Sequence, residues 1–195
     1  MKLVTISGPR GAGKETILLR LLCAFPDVLH RVVPHTTRVP RPGEVNGREY
    51  HFVSEVEFDA LIAEEQFVFI NNQMAHQRSG TVRAELTGHP IAIIGITAAG
   101  ARQIRKLVVQ ESGQVCSIFV YASHAERKRR IETRQSDLTP DEIHKMLQDD
   151  PVDPNRKHYP DFDLVVENPD GQLDTVVARI LSTVEKFMRT GVEVT

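Results

Sequence analysis

Residues 8–16 read Gly-Pro-Arg-Gly-Ala-Gly-Lys-Glu-Thr and follow directly on the apolar run Leu3-Val4-Thr5-Ile6-Ser7. From Glu15 to Phe25, leucines and an isoleucine recur at helical spacing. A buried strand, a glycine-rich turn and a helix therefore succeed one another without a linker. Such a turn exposes consecutive backbone amides, and the helix N-terminus adds positive potential, a combination suited to phosphate oxygens. Gly8, Gly11 and Gly13 permit close approach and positive φ, Pro9, Arg10 and Ala12 complete the loop, and Lys14 would reach the β- and γ-phosphates of a bound triphosphate.

One residue departs from the motif. A serine or threonine hydroxyl normally follows the lysine and ligates magnesium, whereas this chain has Glu15 and then Thr16. Three roles fit the substitution. Glu15 binds the ion directly or through water, a carboxylate being a good magnesium ligand; Thr16 is recruited instead; or Glu15 only caps the positive end of the helix, where it would repel the phosphates.

Further strands are expected at Arg31–His35, Phe67–Asn71, Pro90–Ile96, Val115–Tyr121 and Asp163–Glu167, with helical patterns between most of them. Ser54 with Glu57 forms a capping box that opens a helix to about Glu64. Thr139-Pro140-Asp141-Glu142 gives another helix start, and a last helix is expected from about Gln172 to Met188, followed by a frayed tail over 190–195. Alternation with continuously apolar strands implies a parallel sheet covered on both faces, with ligands at the carboxyl ends of its strands. Two stretches interrupt the alternation, Pro34–Val82 and Ala125–Asp153, and read as subdomains attached to the core.

At 195 residues one compact unit is the default, and a net charge of −2 with 26% charged residues is ordinary for a soluble protein. Arg102–Arg134 is locally basic, as a polyanion site or, more commonly, a solvated helix face would be. Cys23 and Cys116 both lie in apolar surroundings and are expected to be reduced core residues. No segment reaches about 20 apolar residues, so a cytoplasmic protein is expected, with neither membrane nor nucleic-acid polymer as partner.

The stretch from His35 to Val53, His-Thr-Thr-Arg-Val-Pro-Arg-Pro-Gly-Glu-Val-Asn-Gly-Arg-Glu-Tyr-His-Phe-Val, together with Gly8–Lys14, resembles the guanylate kinase family over nearly the whole chain. The resemblance implies an α/β, three-layer P-loop kinase fold with a parallel core sheet, a small acceptor-binding subdomain and a helical lid. On this chain the divisions fall at 1–33, 83–124 and 154–195 for the core, 34–82 for the acceptor subdomain and 125–153 for the lid. Arg38, Arg41 and Tyr50 match the residues that grip the acceptor's phosphate, and two guanidinium forks with a phenol make a strong phosphate clamp. Arg130 and Arg134 match lid arginines that neutralise the transferring group, and Asn168 matches a position beside the adenine. ATP and magnesium are the implied cofactors, and Lys14, Arg38, Arg130 and Arg134 the implied catalytic set.

Departures from the family pattern gather at the acceptor's base and the metal. The family's serine ahead of the threonines is Pro34, the glutamate that reads guanine falls at Phe69, and the tyrosine and serine of its Tyr-Gly-Ser segment fall at Arg78 and Gly80. The two aspartates that end a strand fall at Gly95 and Thr97, and a third lid arginine at Met146. A site without its carboxylates loses hydrogen-bond readout of a base. The expected activity is thus ATP-dependent phosphoryl transfer to a phosphorylated small molecule, GMP or a related nucleotide or sugar phosphate, with Arg78 adding a cation where guanine would lie. Plain GMP kinase activity at reduced efficiency, and a degenerate module that binds phosphorylated protein through Arg38, Arg41 and Tyr50, are the alternatives. A monomer or homodimer is expected.

Overall fold

A computed structural model describes residues 1–41, 43–71, 77–134, 138–148 and 161–190. The expected lid boundary near 153, the start of the last core segment at 154 and the tail after 190 lie outside the described residues.

The core sheet contains β1 (Lys2–Ser7), β2 (Leu29–Arg31), β7 (Ile91–Ile96), β8 (Gln114–Tyr121) and β9 (Leu164–Glu167) in the order β2-β7-β1-β8-β9, every pair parallel. Alternation along the strands explains why both faces are covered. Val4, Ile6, Ile93, Ile118 and Val120 point to one side, where they meet α1 (Lys14–Ala24) and α6 (Leu173–Thr190). Leu3, Ala92, Ile94 and Val115 point to the other and meet α3 (Ala98–Gln110) through Ala101, Ile104 and Val108. Each such side chain removed from water contributes about 1.5–3 kcal/mol, so the sheet is the rigid frame on which the loops at its carboxyl edge are mounted.

The run Arg31–His35 was expected to be one strand and is two. β2 ends at Arg31 in the core sheet, and β3 (His35–Thr36) belongs to a second sheet. Pro34 separates them and has no N–H to continue a ladder. The second sheet has the order β4-β3-β6-β5, with β4 (His51–Phe52), β5 (Phe67–Asn71) and β6 (Ser79–Val82), and lies within the stretch that interrupts the sequence alternation. Helix α2 (Glu55–Ala63) follows β4 with the expected capping box between Ser54 and Glu57.

Helix α4 (His124–Arg134) opens with a box of the same kind, Ser123 and Glu126, which the sequence reading passed over. Thr139 and Glu142 cap α5 (Pro140–Gln148) as expected, and Ile131, Leu138, Ile143 and Leu147 pack α4 and α5 together in a small core of their own.

The two cysteines differ. Cys116 is a core residue, and burial, with Asp163 nearby, pushes its thiol up to about 12. Cys23, expected in the core, is exposed on the outer face of α1. The basic stretch is likewise no continuous stripe, since Arg102 pairs with Asp161, Arg105 with Asp163 and Arg130 with Asp170. Among the described residues no helix is long and apolar enough to cross a membrane.

Candidate active site

The glycine-rich loop leaves the end of β1 at the carboxyl edge of the sheet. Gly8 adopts φ 144°, and a Cβ there would stand 1.9 Å from the Val120 carbonyl oxygen; at Gly13, φ 93°, it would stand 2.4 Å from Asn168 Nδ2. Only glycine fits either place without moving backbone or a buried amide. Pro9 O accepts from the Ala12 amide at 3.2 Å, which closes the turn. Lys14 Nζ is folded onto the loop and donates to the carbonyls of Gly8 (2.6 Å) and Pro9 (2.9 Å).

The loop is braced from behind by side chains whose contacts with it are not legible in the sequence. Asn168, expected beside the adenine, is buried and donates from Nδ2 to Ala12 O at 2.8 Å, so its side chain supports the loop. Arg127 is only 2% exposed and donates from Nε to Arg10 O at 2.7 Å. It stands in the run Glu126-Arg127-Lys128-Arg129-Arg130, which reads in sequence as a solvated face, and nothing there marks the one arginine that turns inward. Arg130 donates to the carbonyls of Gly11 (3.2 Å) and Asn168 (2.8 Å) and is held by Asp170 (2.6 Å), which also pairs with Arg129. The amide of Asp170 in turn donates to Glu126, so α4, the loop and the segment after β9 form one network.

A cleft of about 940 Å³ runs from this loop to the second sheet and α5. Its walls include Arg10, Gly11, Gly13, Lys14, Glu15 and Thr16 from the loop and α1, Arg38, Arg41 and Tyr50 from the segment between β3 and β4, and Arg130 and Arg134 from α4. Among the described residues seven cationic side chains line it against three carboxylates. Gly8, Pro9 and Ala12 shape the loop and do not line the cleft.

The phosphate-clamp candidates are organised unequally. Arg38 forms a two-pronged bond with Glu44 (2.8 and 3.0 Å), lies 5.3 Å from the centre of the Tyr50 ring and is only 11% exposed. Burial works against an ionised Glu44, but the Arg38 guanidinium and the Arg41 amide hold its carboxyl below the usual range. Arg41 is open to the cleft and has no carboxylate at ion-pairing distance among the described residues. The protein around it strips away water and, with Arg38 and Arg134 nearby, lowers its pKa from the ordinary value, Glu44 and Tyr50 opposing. A cation disfavoured in this way has an incentive to take an anion.

A side cavity of about 250 Å³ continues from the cleft and is lined by Pro34, Tyr50, Phe69, Asn71, Ser79, Gly80, Thr81, Gly95 and Thr97 among others. Five departures from the family pattern, Pro34, Phe69, Gly80, Gly95 and Thr97, thus share one wall, and Met146 lines the main cleft. Among the described residues no carboxylate lines the side cavity. Arg78 does not supply the extra cation expected there. It is turned onto α2, paired with Glu55 and Asp59 (2.6 Å) and stacked 4.6 Å from the centre of Phe58. Its neighbours Gln77 and Ser79 face the cleft instead, as the alternation of a strand edge requires.

Glu15 has a partner that no pattern of residues announces. Arg31 NH1 donates to Glu15 Oε1 at 2.7 Å. Among the described residues no group of three His, Cys, Asp or Glu is placed to hold a metal unaided. One carboxylate and a neighbouring hydroxyl, Glu15 and Thr16, still suit magnesium, which is usually held by one or two carboxylates together with substrate phosphates and water.

Residues 1–187 match the model of the family described as guanylate kinase. The chain belongs to the guanylate kinase family. It is accordingly a phosphotransferase of the nucleoside monophosphate kinase type. Guanylate kinases of Shewanella denitrificans and Shewanella violacea are 34% and 33% identical to it, over 86% and 93% of this chain and 80% and 86% of theirs. A solved structure of guanylate kinase from Anaplasma phagocytophilum covers 97% of the chain, with 87% of its own length matched, a TM-score of 0.68 and 20% identity, a likeness of fold.

Proposed function

We propose that the chain transfers the γ-phosphoryl group of ATP to the phosphate of a small phosphorylated acceptor, and that the acceptor need not be GMP. The observation that carries this reading is the single cleft lined at once by the glycine loop with Lys14, by Arg38, Arg41 and Tyr50, and by Arg130 and Arg134. Two phosphorylated ligands placed end to end in a cationic cleft are what phosphoryl transfer between them requires, since catalysis of this kind is mostly positioning and neutralisation of charge.

Lys14 would exchange its two loop carbonyls for the β- and γ-phosphates. Arg38, already fixed by Glu44, and Arg41 would hold the acceptor's phosphate so that one of its oxygens faces the γ-phosphorus in line. A bond forms between that oxygen and phosphorus while the bond to the β,γ-bridging oxygen breaks, and ADP leaves with the electron pair. Arg130 and Arg134 would neutralise the equatorial oxygens. Bound magnesium, held with Glu15 and Thr16, would offset charge on the β- and γ-oxygens.

A broader acceptor range is favoured by the side cavity. Phe69, Asn71, Ser79, Gly80, Thr81, Gly95 and Thr97 offer hydroxyls, an amide and apolar surface but no carboxylate for a guanine edge. A sugar phosphate or another nucleotide suits that lining at least as well as GMP. The test is ATP turnover with magnesium against GMP, dGMP, other nucleoside monophosphates and ribose phosphates. Turnover dependent on a non-guanine acceptor is expected to match or exceed that on GMP. Rapid turnover selective for GMP would overturn the acceptor reading alone. No acceptor-dependent turnover, with tight binding of a phosphopeptide, would favour a binding module.

A further inference from the structure

The ion pair between Glu15 and Arg31 lies inside the cleft. Arg31 ends β2, at the carboxyl edge of the core sheet, and Glu15 is in the first turn of α1 directly after Lys14. Both line the cleft, where the Arg31 side chain is 18% exposed. Glu15 Oε1 takes the guanidinium at 2.7 Å, while Oε2 accepts no hydrogen bond among the described residues and the side chain is 42% exposed. One oxygen is therefore fixed by Arg31, while the other is left without a hydrogen bond among the described residues on a side chain that lines the cleft. Arg31 makes no other side-chain hydrogen bond among the described residues.

A carboxylate used as a metal ligand is commonly oriented by a second group on its other oxygen, and loss of that group costs about 10- to 100-fold in metal affinity. A free glutamate would otherwise sample several rotamers, many of them directed at the incoming phosphates. We propose that Arg31 is the positioning residue of the metal–nucleotide site: it holds Glu15 by Oε1, so that Oε2 faces the metal in place of the hydroxyl that loops of this type provide. The guanidinium also offsets the repulsion that an unpartnered glutamate would exert on the triphosphate. The pair, and not Glu15 alone, is what substitutes for a serine or threonine. This inference rests on the phosphotransferase reading above.

Isothermal titration of the full chain with ATP, once in EDTA and once in excess magnesium, separates the metal-dependent gain in affinity from the contribution of the loop. In the wild type magnesium is expected to tighten ATP binding. Arg31→Met is expected to reduce that gain about 10- to 100-fold and to leave the metal-free affinity near the wild-type value. Glu15→Gln should behave alike. Glu15→Ser combined with Arg31→Val, which replaces the pair by a hydroxyl, should recover the gain, whereas Glu15→Ser alone should not, because it leaves an unbalanced cation beside the metal. The metal-free affinity reports in each variant that the loop is folded. An undiminished gain in Arg31→Met overturns the proposal, as does an increased one, which would make Arg31 a competitor of the metal for Glu15. A wild type that binds ATP equally with and without magnesium overturns it too. A wild type that binds no ATP in either condition overturns the phosphotransferase reading itself.

Discussion

Arg127 on α4 donates its Nε proton to the main-chain carbonyl of Arg10 across 2.7 Å, and it does so from a position only 2% exposed. The helix that contributes Arg130 and Arg134 to the cleft is thus tied to the middle of the phosphate loop through a side chain that does not itself line the cleft. Truncating it leaves the part-buried Arg10 carbonyl without this donor and a void where the buried side chain stood. Arg127→Ala is expected to lower stability by roughly 2–5 kcal/mol, measured by urea unfolding. Arg127→Lys, which keeps the charge but not the geometry of Nε, should recover part of the stability and still bind ATP more weakly than the wild type.

Lys14 behaves differently, because its ammonium lines the cleft and the Gly8 and Pro9 carbonyls it reaches are only part-buried. Lys14→Ala should lose about 1–3 kcal/mol of stability, the scale of hydrogen bonds made by a charged group. It should lose on the order of 100-fold or more in kcat. An unchanged ATP affinity, read by titration calorimetry, would count against the loop as the triphosphate site.

Arg38 and Arg41 were equivalent on paper and are not in the structure. Arg41 faces the cleft with no ion-pair partner among the described residues, so Arg41→Ala should raise the acceptor's KM roughly 10- to 100-fold, the worth of a charged hydrogen bond, with an unchanged melting temperature. Arg38→Ala removes the partner of Glu44, which is only 14% exposed. That variant should show a similar KM effect and in addition lose about 1–3 kcal/mol of stability, less than a fully buried broken pair would cost.

The residues show where sequence sufficed. Apolar runs such as Ile91–Ile96 and the glycine spacing from Gly8 to Gly13 are local signals, and they located the core strands and the loop. The segment between β3 and β4 was singled out through Arg38, Arg41 and Tyr50, which do line the cleft, because its signal resides in residue types at fixed separations. Pairings between distant positions were not legible. Nothing in the sequence links Glu15 to Arg31, Arg10 to Arg127 or Arg130 to Asp170, since each depends on which strand neighbours which. Arg78 failed for a related reason. A shift of one residue along a strand edge moves a side chain to the opposite face, and the neighbouring acids Glu55 and Asp59 on α2 were available to capture it.

Acid should destabilise the fold in two separate ranges. His35 has its pKa lowered first by burial and then by His51, with Glu85 opposing, and its Nδ1 is buried without a hydrogen-bond partner among the described residues. His30 is lowered by burial and by the stacked His89. Lowered histidines are more easily protonated in the unfolded chain, so the stability linked to them is present above 6.5 and is lost as pH falls through that value. The lowered Glu44 works lower down. Its contribution is intact above the ordinary carboxylate value of 4.5 and is lost as pH falls through its own, lower pKa. Thermal midpoints recorded from pH 8 to pH 3 should show both declines, and His35→Phe should flatten only the first.

Specificity for the acceptor's base can be probed at Gly95, which lines both the cleft and the side cavity. A Cβ built there meets only Leu18 Cδ1 at 3.6 Å, an ordinary contact, so a side chain at this position enters open space and need not disturb β7. Gly95→Asp should therefore fold with a melting temperature within a few degrees of the wild type. It would place a carboxylate in a cavity that has none among the described residues, where it can accept from the amino and imino groups of guanine. A hydrogen bond from an uncharged group to a carboxylate is worth about 1.5–3 kcal/mol, so kcat/KM for GMP should rise at least tenfold relative to a ribose phosphate. An equal change for both acceptors would show that the side cavity does not receive the part of the acceptor remote from its phosphate.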